Sequence, residues 1–111
     1  MLQGEIWEAY FNPTKGNEQS GRRPAVVISG DLANKYLGVV IVCPLTTSIK
    51  NYKGNVIVSP IAETGLKQTS EILNLHLRSI SKNRLTKKLG SISQEQLMQV
   101  RKGLNEIILM D

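Results

Sequence analysis

A chain of 111 residues, 41% apolar and 21% charged, has the material for one folded domain and excludes both intrinsic disorder and two independent cores. Fourteen Lys and Arg against nine Asp and Glu give a net charge of +5, a field that draws nucleic acid, an anionic membrane surface or an acidic protein without choosing among them. One cysteine excludes an internal disulfide, and one cysteine with one histidine excludes a paired Cys/His metal site.

Residues 4–11, GEIWEAYF, alternate, with Ile6, Glu8 and Tyr10 on one face of a strand and Trp7, Ala9 and Phe11 on the other. Residues 12–23, NPTKGNEQSGRR, carry Pro13, Gly16 and Gly21 and no apolar anchor, the make-up of a functional loop. PAVVIS, 24–29, is a short apolar strand; DLANKY, 31–36, is a short helix with Asp31 as its N-cap; GVVIVCPL, 38–45, is a second buried strand in which Cys43 is an apolar filler. A polar turn region leads to a third strand over 55–61, NVIVSPI, ended by Pro60, and then to a loop around Gly65.

Residues 70–80, SEILNLHLRSI, alternate so regularly that one strand is expected, Leu73, Leu75 and Leu77 forming its apolar face and Asn74, His76 and Arg78 its polar one. SKNRL, 81–85, is a short helical turn and KLGSI, 88–92, a last strand. The chain closes in an amphipathic helix with a Ser93–Gln96 capping box and Leu97, Val100, Leu104, Ile107 and Ile108 at helical spacing. The expected fold is a single domain over 1–111, mainly β (β+α): a small barrel or half-barrel of five to seven strands with a C-terminal helix and a short internal one. With no basic leader and no long apolar segment, a cytoplasmic protein is expected.

The scarcity of His, Cys and clustered acids leaves little ordinary catalytic machinery. Arg23 stands out, because the residue before a proline is driven into an extended backbone and Pro24 thereby fixes Arg23 where the loop enters a strand. A planar, permanently charged guanidinium suits a phosphate oxygen and the charge that grows there during phosphoryl transfer. An arginine bridging surface carboxylates at a strand start is the plainer reading of the same residue. His76, on an alternating strand, is by default a surface or interface histidine.

GEIW near the start, NPTKGNEQSGRRPAVVIS at 12–29, VIVCPLTTS at 40–48 and LRSISKNRL at 77–85 followed by a helix together resemble the MazF/PemK (Kid) family of toxin endoribonucleases. The resemblance rests most on Gly16, Glu18, Gln19, Gly21, Arg23 and Pro24, which stand as G-x-E-Q-x-G-x-R-P. It implies an SH3-like barrel of the CcdB/MazF kind that forms a homodimer. It also implies cleavage of single-stranded RNA at short motifs without metal or cofactor, and inhibition by an acidic antitoxin segment of MazE type. The family's catalytic arginine falls on Arg23 and its catalytic threonine on Thr46, with Thr47 and Ser48 beside it.

Around them the resemblance implies RNA contacts from Asn17, Glu18, Gln19, Gly21, Pro24, Thr47, Ser48, Asn74 and His76, the amides and imidazole suiting base edges. Stacking falls to Tyr52, Tyr36 or Tyr10. The reaction implied is attack of a ribose 2′-OH on the adjacent phosphate, leaving 2′,3′-cyclic phosphate and 5′-OH ends. Several family members carry an acid where this chain has Leu75, and some an arginine before it where this chain has Leu73; arginine is a poor base, so no general base is assigned. Two other readings stay open at this point: a CcdB-like gyrase poison, and an RNA-binding module of the same fold that does not cut.

Overall fold

The computed structural model describes residues 1–11 and 21–108. Along them run β1 (Glu5–Phe11), β2 (Gly21–Val27), α1 (Asp31–Tyr36), β3 (Val39–Thr46), β4 (Ile57–Val58), β5 (Ser70–Ile72), β6 (Arg78–Ser81), β7 (Leu85–Ser91) and α2 (Gln94–Ile108). All pairings are antiparallel, in the order β4-β5-β3-β2-β1-β7, with β6 also on β3. The expected half-barrel with a terminal helix is what forms.

The sheet buries apolar residues on both faces because it curls. On one face Ile6, Val26, Cys43, Leu45 and Ile72 pack against Leu97, Val100 and Leu104 of α2; on the other Ala9, Phe11, Ala25, Val27, Val40, Val42 and Ile80 form a second cluster, with Trp7 against it. β1 serves both, as its alternation predicted. Register shifts between Ile6 and Trp7 and between Glu8 and Ala9 in its pairing with β7 add curvature. The curl is strong enough to bring the Arg78 guanidinium of β6 over the Phe11 ring of β1, 5.2 Å from its centroid.

β3 is the organising strand. One edge takes β2; the other takes β5 at Leu45 and Thr46, then β6 from Val42 to Val39. Between the pairs Leu45↔Ile72 and Val42↔Arg78, β3 advances three residues while its partner advances six. The surplus of three is taken up by a 3-10 turn at Asn74–His76. Residues 70–80 are therefore two short strands and a turn, not the single strand expected. An odd surplus reverses which face each residue meets, so Ile72 joins the cluster under α2 while Ile80 joins the other. The leucine face dissolves as a result, with Leu75 75% exposed and Leu77 36%, while Asn74 is buried at 1%.

Other expectations shift by smaller amounts. The third strand shrinks to Ile57–Val58, and the last one lengthens to Leu85–Ser91. Gly30, not Asp31, is the N-cap of α1; Asp31 lies in the first turn and its Oδ1 accepts the Gln3 N–H at 2.7 Å. Within α2 the Ser93–Gln96 capping box closes in both directions at 3.0 Å. Ile107 and Ile108, however, remain exposed, outside the cluster that takes Leu97, Val100 and Leu104. β2 starts three residues early, so Arg23 sits inside the strand, opposite Ala9, and not at its entry. Cys43 is buried and its thiol pushed up to about 12 by that burial, which suits a filler.

Glu5 anchors the start of β1. Its Oε1 accepts N–H groups from Leu2 at 2.9 Å and the Trp7 indole at 3.0 Å, and Oε2 meets Lys88 of β7 at 2.9 Å. Burial pushes the carboxyl up, but the Leu2, Lys88 and Trp7 partners outweigh it and hold it at about 2, against an ordinary 4.5. A depressed carboxylate contributes stability that is whole above the ordinary value and drains away as pH falls through the folded one. Compared with Glu5→Gln, the parent should thus gain about 3 kcal/mol near neutrality. That advantage should close as pH falls from 4.5 towards 2. Denaturant midpoints of the two proteins across that range check this; a constant difference would disprove it.

Candidate active site

The β2–β3 ladder pairs Val27↔Val42, Val26↔Cys43 and Ala25↔Pro44. The same register, extended two residues, sets Arg23 across from Thr46, where β3 ends. Pro44 is part of the last pair and Pro24 lies next beyond it on β2, where it supplies no N–H to continue the ladder. Thr46 is paired in turn with Glu71 of β5, so a cross-strand row runs Ala9, Arg23, Thr46, Glu71, all on one face. Arg23 is half-buried, Thr46 is 9% exposed and Glu71 is completely buried.

The segment after Thr46 doubles back over this row. Ser48 donates its N–H to Thr46 Oγ1 at 3.1 Å. Lys50 and Asn51 donate theirs to Glu71 Oε1 at 2.8 and 2.9 Å, and Tyr52 to Oε2 at 3.0 Å, where the Asn55 amide also donates at 2.8 Å. Asn51 takes a left-handed φ of 55°, which turns consecutive N–H groups toward one point and makes an anion nest. Burial alone would raise the Glu71 pKa, but the Asn55 amide and the backbone N–H groups of Asn51, Lys50 and Tyr52 hold it below the ordinary value. Four donors occupy this ionised carboxylate, so it is a structural acid and a poor base.

Of the residues expected at the site, Arg23 and Thr46 come together at the rim, with Gly21 and Pro24 beside Arg23 in β2 and exposed Thr47 and Ser48 just after Thr46. Asn17, Glu18 and Gln19 lie outside the described residues. Asn74, expected at the RNA surface, is instead buried: its Nδ2 donates to the Gly54 carbonyl at 2.9 Å and its backbone N–H to Asn55 Oδ1 at 3.3 Å. A Cβ on Gly103 would sit 2.6 Å from that amide, so α2 closes tightly over it. His76 lines a pocket of about 130 Å³ with Tyr52, Lys53, Asn55, Leu73, Leu75 and Ile107. Leu75 and Leu73 thus border this pocket and carry no acid into the row.

Glu71 is the site residue that sequence reasoning missed. Its signal was present, a lone acid in a buried strand between Ser70 and Ile72, but only the register places it beside Thr46. Among the described residues no three His, Cys, Asp or Glu side chains come together as a metal site, and no helix is long and apolar enough to cross a membrane.

Comparison with known proteins bears on this geometry directly. The model of the PemK-like, MazF-like toxins of type II toxin–antitoxin systems matches residues 2–108. The endoribonuclease MazF9 of Mycobacterium tuberculosis is 36% identical over 110 residues, covering 94% of this chain and 92% of its own. The crystal structure of MazF (Form-I) from Deinococcus radiodurans superposes with a TM-score of 0.84 at 30% identity, over 99% of this chain and 97% of that one. MazF in the MazE-MazF (Form-II) crystal structure from the same organism gives 0.79 at 30% identity, over 100% and 97%. The matched residues span both core clusters and the Arg23–Thr46 rim, and the chain belongs to the PemK-like, MazF-like toxin family of type II toxin–antitoxin systems.

Proposed function

We propose that this chain is a sequence-specific endoribonuclease that cuts single-stranded RNA without a metal ion. The observation that carries the reading is the β2–β3 register, which, extended two residues past Ala25↔Pro44, sets Arg23 opposite Thr46. It is supported by relatives named endoribonucleases, MazF9 among them. In the reaction a P–O2′ bond forms and the P–O5′ bond breaks, a proton leaving the 2′-OH and one arriving on O5′. The products are 2′,3′-cyclic phosphate and 5′-OH ends. Arg23 stabilises the charge that builds on the phosphorane oxygens, and Thr46 donates a hydrogen bond that fixes the phosphate in line.

Gly21, Pro24, Thr47, Ser48 and His76 are the described residues assigned to RNA contacts, and the sequence adds Asn17, Glu18 and Gln19 to them. Asn74 holds the scaffold beneath it. The working form is a homodimer acting in the cytoplasm, and a net charge of +5 suits capture by an acidic antitoxin segment, as MazF is held by MazE in the Deinococcus radiodurans complex.

The test is incubation with a long RNA of known sequence in EDTA, the ends mapped by primer extension and their chemistry determined. Discrete cuts at a recurring motif with cyclic phosphate and 5′-OH ends are expected; an intact RNA, or cleavage that EDTA stops, would refute the reading. On the same substrate Thr46→Ala should slow cleavage roughly 10²-fold and His76→Ala far less. The reverse order would make His76 the principal proton-transfer group.

A further inference from the structure

The carboxylate of Glu71 is at odds with its surroundings: an ionised group with no exposed surface, in a buried strand between Ser70 and Ile72. Such a charge persists only where its donors are built in, and here four converge on it from one short segment, 50–55. That segment is the continuation of Thr46, and its first ordered contact is the Ser48 N–H on Thr46 Oγ1. A hydroxyl has one proton to donate. When one of its lone pairs is occupied by Ser48, the orientations left to that proton are restricted.

We propose that Glu71 is a positioning residue for the Thr46 hydroxyl, acting through the nest of Lys50, Asn51 and Tyr52 and the Ser48 N–H. The inference rests on the reading of Thr46 as a group that touches the phosphate, and deepens it. Glu71 neither takes nor gives a proton in the reaction, since its oxygens are already engaged by four donors. It sets where the loop sits, the loop sets where the Ser48 N–H sits, and that N–H sets the direction in which Thr46 donates. The closing loop also brings Tyr52 and Asn55 to the pocket shared with His76.

A double-mutant cycle separates this from a merely structural role. Glu71→Gln keeps the shape but turns an NH₂ group toward donors. In single-turnover cleavage of a short single-stranded RNA carrying the mapped motif, Glu71→Gln should lower the rate roughly 30-fold, the scale of a catalytic group misplaced by less than an ångström, with KM changed much less. In the Thr46→Ala background the same substitution should change the rate by less than about threefold, because nothing remains to be positioned. Equal losses in both backgrounds, measured below both melting temperatures, would overturn the proposal and leave Glu71 a structural acid. A Thr46→Ala protein that cleaves as fast as the parent would instead remove the reading of Thr46, and the proposal with it. Should Glu71→Gln fail to fold, Asn55→Ala removes one of the four donors; a loss confined to the Thr46 background supports the proposal, and a loss equal in both refutes it.

Discussion

Arg23→Ala should lower RNA cleavage by about 10³-fold while leaving the fold in place. A factor of that size is about 4 kcal/mol of transition-state stabilisation, within what a planar guanidinium supplies to a phosphoryl group in a site shielded from water. The core is spared because Ala25 and Val27, the next residues on the same face of β2, carry the packing there. Arg23→Lys should recover only part of the loss, since an ammonium keeps the charge but not the two-pronged hydrogen bonding. Rates from single-turnover cleavage, set beside thermal melts, decide the matter. Activity within tenfold of the parent would move the charge stabilisation elsewhere, with Arg78 over Phe11 the next cation to test. An unfolded Arg23→Ala would mean that the residue serves the sheet and not the substrate.

The second large effect is on stability. Gly65 has φ 67°, and a Cβ there would run into the Leu89 carbonyl oxygen and lie 2.6 Å from its carbon. The partners are backbone on both sides, held by the Ser91 N–H on the Glu63 carbonyl at 2.8 Å, so neither can yield as a flexible side chain would. Left-handed strain and overpacking therefore add, and Gly65→Ala should cost roughly 2–4 kcal/mol. For a domain of this size that is a fall in melting temperature on the order of 10 °C or more. Gly54→Ala is the control: its φ of 90° is equally unfavourable, but its Cβ would meet only the Gly103 Cα at an ordinary 3.8 Å. Thermal melts of both should show Gly65→Ala clearly the worse; equal losses would mean that β7 shifts to make room.

Where local pattern and long-range register agreed, the sequence was readable. Alternation along β1 foretold its two faces, and Ser93 with Gln96 foretold the first turn of α2, because each depends on residues a few positions apart. Thr46 was legible as a strand-end residue, whereas Arg23 proved to lie inside β2; the register that sets them opposite each other needed only that β2 and β3 be antiparallel neighbours. Residues 70–80 were misread for the opposite reason. Their leucines alternate as a strand should, but β3 must hand its edge from β5 to β6, and the three surplus residues have nowhere to go except a turn. That constraint lies in residues 39–46, thirty positions away. Glu71 was overlooked on the same account, since its partners at 50–55 come to it only through the fold.

β1 reaches across almost the whole chain to pair Glu5 with Ser91. A ribosome adding 5–20 residues per second takes about 4 to 17 s to make what lies between them. Through that interval β1 has its hairpin partner β2 but an unsealed second edge, and the cluster beneath α2 lacks the leucines of the helix meant to fill it. Arg23 and Thr46 emerge in the first half of synthesis, yet the sheet that holds them opposite each other is completed by the last third. A chain cut short before Ser91 is therefore expected to be inert.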